Sequence, residues 1–135
     1  MILIVCIDKK YGMMFNGRRQ SRDRVLTERI LQITQGKPLY VSPYSASLFP
    51  AERTLPLSQR AQAQADAYYF AEDLPLPEEI DGAILFHWNR NYPADRFFSP
   101  ELLEKNALSK TSQEEFVGSS HDAVTMEIYE KENLK

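Results

Sequence analysis

An α/β fold built on a mixed, mainly parallel sheet is predicted by three features of this 135-residue sequence. An apolar run, Ile2 to Ile7, is followed by an amphipathic stretch and then by the strand-like Pro38–Leu39–Tyr40–Val41–Ser42, the order expected of a strand, a helix and a second strand joined by a right-handed crossover. Gly82 to Trp88 is apolar through its first half, as a strand buried on both faces requires. Near the end of the chain Val124, Met126 and Ile128 alternate with Thr125 and Glu127, the period of a strand with one wet face.

The remaining elements follow in order. After Ile7 the polar turn Asp8–Lys9–Lys10–Tyr11–Gly12 leads into Met13–Met14–Phe15 and an Asn16–Gly17 turn signal, read as an ordered loop. Ser21 is the expected N-cap of a helix from about Arg22 to Thr34, in which Leu26, Ile30 and Ile33 fall at i, i+4 and i+7 beside Val25. Gly36 supplies its stop. Pro43 to Phe49 tolerates a short helix before Pro50, and Ser58 to Ala65 is helix-prone through its Gln and Ala content. Ala67–Ala71 has strand composition, and Leu74 to Pro77 is a proline-rich turn. Ala107–Thr111 and Ala123–Lys131 supply the last two strands, antiparallel at one side, with Met1–Ile7 and Gly82–Trp88 at the centre. No internal repeat or composition break divides the chain, so a single domain over 1–135 is expected.

Composition limits the function classes. A chain of this length buries about two-thirds of its unfolded surface, enough for a core without covalent staples. The lone Cys6 has no disulfide partner, which makes a cytoplasmic location the default. The first apolar run is too short to span a membrane and lacks a basic lead. His87, His121 and Cys6 have none of the spacings of a metal centre, so no metal is expected. The net charge of −3 conceals an asymmetry, because residues 1–60 hold ten basic against four acidic side chains and residues 61–135 hold six against fifteen. The basic half is suited to an anion, while the acidic total disfavours duplex nucleic acid. The plainer reading is that the two halves neutralise each other within the fold or across a dimer.

Several short motifs, in order, resemble the dihydrofolate reductase family. Ile2 to Asp8 followed by Gly12, and Thr34–Gln35–Gly36–Lys37–Pro38 before a strand, are similar to that family's first strand, substrate helix and second strand. Arg53–Thr54–Leu55–Pro56 resembles its Arg-x-Leu-Pro segment, Ala94 to Pro100 its Gly-Asp-Thr-Phe-Phe-Pro stretch, and Thr125 to Lys131 its final strand. The resemblance implies a dihydrofolate-reductase-like mixed sheet with flanking helices and a reduced middle region, since Ser58 to Gly82 leaves room for one helix and one strand.

The family's chemistry does not transfer with its fold. Collinear matching puts Leu26 where the resemblance implies the acidic residue that protonates the pterin; Asp23, three residues earlier, is the remaining candidate for a proton source. The phosphate-greeting Gly-Arg-x-Thr becomes Ser42–Pro43–Tyr44–Ser45, which lacks both an amide and a cation, and the chain contains no Gly-Gly pair. The arginine for the folate tail falls near Ser58, with Arg60 as nearest substitute. NADPH binding is therefore not expected, and no other cofactor is implied.

Arginines at 18, 19, 22 and 24 surround the expected helix start, where free amides and the helix dipole already favour an anion. With the end of the central strand they define the expected ligand set: Asn16, Arg18, Arg19, Gln20, Ser21, Arg22, Tyr44, Ser45, Trp88 and Asn89. Against this stand intramolecular pairing of the arginines and a Trp88 that plugs the core. Ser119–Ser120–His121–Asp122 has hydrolase residue types, but triads are assembled from distant positions. The expectation is a protein that binds an anionic or nucleotide-like small molecule and is not a standard NADPH-dependent dihydrofolate reductase. The alternatives are an atypical NAD(P)H-dependent reductase of a pterin-like substrate and a homo-oligomeric module, a homodimer in the simplest case.

Overall fold

The two most apolar runs of the chain lie side by side at the centre of a sheet. In chain order the elements of the computed structural model, which describes residues 1–132, are β1 (Ile2–Ile7), β2 (Gly12–Phe15), β3 (Arg18–Arg19), α1 (Arg24–Ile33), β4 (Leu39–Val41), β5 (Leu55–Pro56), β6 (Tyr68–Phe70), β7 (Gly82–His87), β8 (Arg96–Phe97), α2 (Glu101–Lys105), β9 (Leu108–Phe116) and β10 (Val124–Lys131). Seven strands form the main sheet in the order β5-β4-β6-β1-β7-β10-β9. The first five of these positions are parallel, and β10 runs antiparallel to both β7 and β9. The mixed, mainly parallel sheet with its last two strands antiparallel at one side is thus the one predicted.

Alternation along the central strands makes two cores. Leu3, Val5, Ile7, Ala83 and Leu85 face one side with Met13, Met14, Phe98 and Leu103, under the small sheet β3-β2-β8 and α2. Ile4, Ile84 and Phe86 face the other side, where Leu26 and Ile30 of α1 pack on them with Phe70 and Trp88. Burial on both faces is why these strands read as continuous apolar runs and not as alternating ones.

Three local readings are corrected. The helix is capped by Asp23, not Ser21: Asp23 has extended backbone and its side chain accepts from the Leu26 amide. The apolar patch before Asn16–Gly17 is a strand, and those two residues, at φ 53° and 73°, turn β2 back into β3 as a hairpin turn with two positive φ angles. The stretch rich in Gln and Ala forms only a 3-10 segment, Leu57–Gln62, with no buried residue. A run that short with no apolar face has nothing to repay helix nucleation. The reduced middle is real: residues 71–81 connect β6 to β7 without a helix or strand. No helix among the described residues is long and apolar enough to cross a membrane.

Candidate functional site

Parallel strands end together, and the crevice beyond their C-terminal ends is where an open α/β sheet accepts ligands. Here that crevice is a narrow cleft whose interior has about 20 Å³ of room for a water-sized sphere, widening into an open mouth that brings the empty space to about 380 Å³. Cys6 of β1, Phe70 of β6 and Trp88 just after β7 form its floor, Leu26 and Thr27 of α1 one wall, and the segment Arg19–Asp23 the rim. Burial, and then the nearby Glu72 carboxylate, push the Cys6 thiol well up, so it stays neutral and is no nucleophile.

The start of α1 carries the densest polar cluster. Asp23 is buried and accepts from four donors: the amides of Leu26 (3.2 Å), Ser119 (3.0 Å) and Ser120 (2.8 Å), and Nδ1 of His121 (2.9 Å). Burial pushes its carboxyl up, but the His121 bond and the three amides outweigh this and hold it well below the usual carboxylate range. Asp23 is therefore an anion with no proton to give. A carboxylate only accepts, so Nδ1 of His121 carries a hydrogen, and in the neutral ring Nε2 is then the acceptor. That Nε2 lies 3.0 Å from Ser21 Oγ and 3.1 Å from the Tyr92 hydroxyl. Trp88 stacks on the imidazole at 4.5 Å between centroids and 27° between planes, fixing the ring.

A second cluster closes the opposite rim. Glu72 takes a two-pronged ion pair from Arg19, with Nε to Oε2 at 2.8 Å and the second nitrogen to Oε1 at 3.0 Å, and accepts from Ser45 Oγ at 2.7 Å. The Arg19 guanidinium lies over the Tyr44 ring at 4.4 Å, and its amide donates to the Tyr44 hydroxyl. Arg19, Tyr44 and Ser45, expected at a ligand, are thus committed to Glu72 and to one another. Gln20 donates through Nε2 to buried Asp8 (3.0 Å) and to the carbonyl of Pro93 (3.3 Å). Those two acceptors fix the amide, and its Oε1 is left buried without a partner among the described residues.

The comparisons with known proteins speak to the fold. No protein-family model matches the sequence, and no curated protein does. Among solved structures, dihydrofolate reductase from Enterococcus faecalis complexed with NADP(H) and RAB-propyl superimposes with a TM-score of 0.69 at 11% identity, covering 98% of this chain and 96% of that one. The chain has the dihydrofolate reductase fold. At that identity the likeness is one of architecture, and the side chains at the dihydrofolate reductase cofactor position have to be tested by their own chemistry. They do not fit a pyrophosphate: Pro43 has no amide, the Ser45 hydroxyl and the Arg19 guanidinium are held by Glu72, and a second carboxylate, Asp73, follows it.

Of the residues expected from sequence, Arg19, Gln20, Ser21, Arg22, Asp23 and Trp88 meet at the cleft. Asn16 and Arg18 line a separate shallow groove with Phe15, Tyr92 and Pro93. Asn89 is tied to Thr125 Oγ1 (2.9 Å) and the Ala123 carbonyl, and holds β7 to the start of β10. Trp88 is both core plug and cleft floor. His121, Glu72 and Tyr92 were missed as site residues. The residue types around His121 drew notice, but no local signal names its partners, since His121 reaches Asp23 across 98 positions and Glu72 reaches Arg19 across 53.

Proposed function

We propose that this protein binds a small anionic, nucleotide-like molecule in the cleft at the start of α1, using the dihydrofolate reductase fold without that enzyme's cofactor chemistry. One observation carries the reading: the same cleft is lined by Arg22 and Gln20, and among the described residues Arg22 has no ion pair and the buried Oε1 of Gln20 has no partner. An acidic group answers the guanidinium and an N–H donor answers the amide oxygen. A nucleotide-like ligand brings both. Because the Arg19–Glu72 pair is internally neutral, Arg22, with Arg18 in the adjoining groove, supplies the exposed positive charge at the mouth, above the buried Asp23 carboxylate.

Melting temperatures with mononucleotides, pterins and simple phosphates test this, since a ligand at a hundred times its dissociation constant adds about 2.7 kcal/mol. A rise is expected that weakens with salt and is reduced in Arg22→Gln. If no anion raises the melting temperature, the reading fails. The alternative, an atypical reductase of a pterin-like substrate, needs a proton donor in the cleft, and Asp23 is ionised, buried and fully occupied.

A further inference from the structure

We propose that Ser21 is a nucleophile, activated through His121 and Asp23, which accepts an acyl group from a small activated ester bound in the cleft. The three side chains come from both ends of the chain and form one line of hydrogen bonds, Ser21 Oγ to His121 Nε2 at 3.0 Å and His121 Nδ1 to Asp23 at 2.9 Å. Each link has one direction. Asp23 accepts and Nδ1 therefore donates, so in the neutral ring Nε2 has one lone pair to accept with, and the reactive arrangement is the one in which Ser21 and not Tyr92 donates to it. This is the arrangement in which a histidine removes a serine proton while a carboxylate holds the tautomer and stabilises the imidazolium.

The support around the line is rigid. Asp23 is fixed by three amides and by its place as N-cap of α1, and the imidazole by its stack on Trp88. Ser21 lines the cleft and is only partly buried, whereas His121 and Asp23 are almost wholly inaccessible, so a substrate meets the hydroxyl first. Leu26, Leu48, Phe70 and Trp88 on the cleft walls suit a short apolar acyl group, and Arg22 suits an anionic remainder.

In the first step Oγ of Ser21 bonds to the carbonyl carbon as its proton passes to Nε2; the bond to the leaving oxygen then breaks and that oxygen takes the proton from Nε2. Water, giving its proton to the same Nε2, attacks the acyl-serine, and collapse returns the proton to Ser21 and releases a carboxylic acid. The Tyr92 hydroxyl, 3.1 Å from Nε2, competes with Ser21 for that acceptor.

The proposal rests on the cleft being a ligand site, and labelling separates the two. Wild-type protein treated with a fluorophosphonate is expected to gain one adduct, mapped to Ser21, and with p-nitrophenyl acetate to release nitrophenolate. Ser21→Ala is expected to abolish both, His121→Gln to slow them by about 10²–10⁴, and Tyr92→Phe to react at least as fast as wild type. Absence of an adduct on Ser21, or equal ester cleavage by folded Ser21→Ala, overturns the nucleophile. Anion-dependent melting shifts retained by Ser21→Ala would then leave the binding reading standing, while labelling without any such shift would remove the binding reading alone.

Discussion

Asp23 joins three parts of the molecule through one carboxylate: the first turn of α1, the loop before β10, and His121 over Trp88. Its folded pKa is depressed below the ordinary aspartate value of about 3.9. At acid pH the unfolded chain therefore takes up this proton more readily than the folded one. The stability contributed is complete above about pH 4 and is lost as the pH falls toward the folded value. Wild type is thus expected to lose melting temperature more steeply below pH 4 than Asp23→Asn, which starts lower at neutral pH. Parallel acid profiles would refute this. Asp23→Ala is expected to cost ~1 kcal/mol for the cap lost at the Leu26 amide plus about 1–3 kcal/mol for each of the part-buried Ser119 and Ser120 amides it orphans. The site also depends on a glycine: a Cβ at position 118 would sit 2.4 Å from Asp23 Oδ2, too close to coexist with it. Gly118→Ala is therefore expected to lower the melting temperature about as much as Asp23→Ala, and to add little on top of it. Full additivity in the double variant would show that the two residues act separately. Arg19→Gln differs in kind, because it strands the Glu72 carboxylate, only 10% exposed at its side chain. Lower stability with an unchanged anion response is its expected outcome.

Among the elements, those with an apolar period of their own were legible in the sequence; β2, buried but only four residues long, and the strands held only by backbone pairing were not. β1, β7, β10 and α1 carry their apolar periods on their own residues, and Leu26 with Ile30 places α1 on the sheet. The two-residue strands β3, β5 and β8 have no period to read, since their partners define them. The same distinction explains the site. The arginines around the helix start announce themselves locally, but the histidine that faces them arrives on a hairpin loop whose position depends on the register of β9 with β10. Ile30 is completely buried, and Ile30→Ala is expected to destabilise by about 2–5 kcal/mol. The main sheet ends in two edges, the two-residue β5 and the nine-residue β9, and β9 is the longer one open to pairing with a second copy. Only its first residue is buried, and it presents Lys110, Glu114 and Glu115 along the edge, charges of the kind that blunt edge-to-edge pairing. Light scattering over a concentration series is expected to give the 15.6 kDa monomer throughout; a doubled mass would favour the interaction module.

For the whole molecule, the charge asymmetry of the sequence is partly resolved by the fold. Arg19–Glu72, Arg29–Glu114, Lys37–Asp66 and the amino terminus with Asp81 each join the basic half to the acidic half across the interleaved sheet. The scaffold is that of dihydrofolate reductase, and whether the reaction survives on it comes down to two requirements. Reduction of a pterin needs a proton donor at the cleft, but Leu26 stands on the wall and Asp23 is locked as an anion behind His121. Hydride delivery needs a dinucleotide, but the turn after β4 offers Pro43 in place of an amide and cation, beside the Glu72 carboxylate. Loss of a general acid alone lowers rates by about 10²–10⁴, and weak dinucleotide binding compounds it. With dihydrofolate and NADPH the loss of NADPH absorbance is therefore expected to match the buffer control, and NADPH is expected to leave the melting temperature unchanged. A turnover number in the ordinary enzyme range of about 1–10³ s⁻¹ would show that the cleft recruits a proton by a route other than Asp23. It would also show that the two carboxylates after β6 move aside for the pyrophosphate.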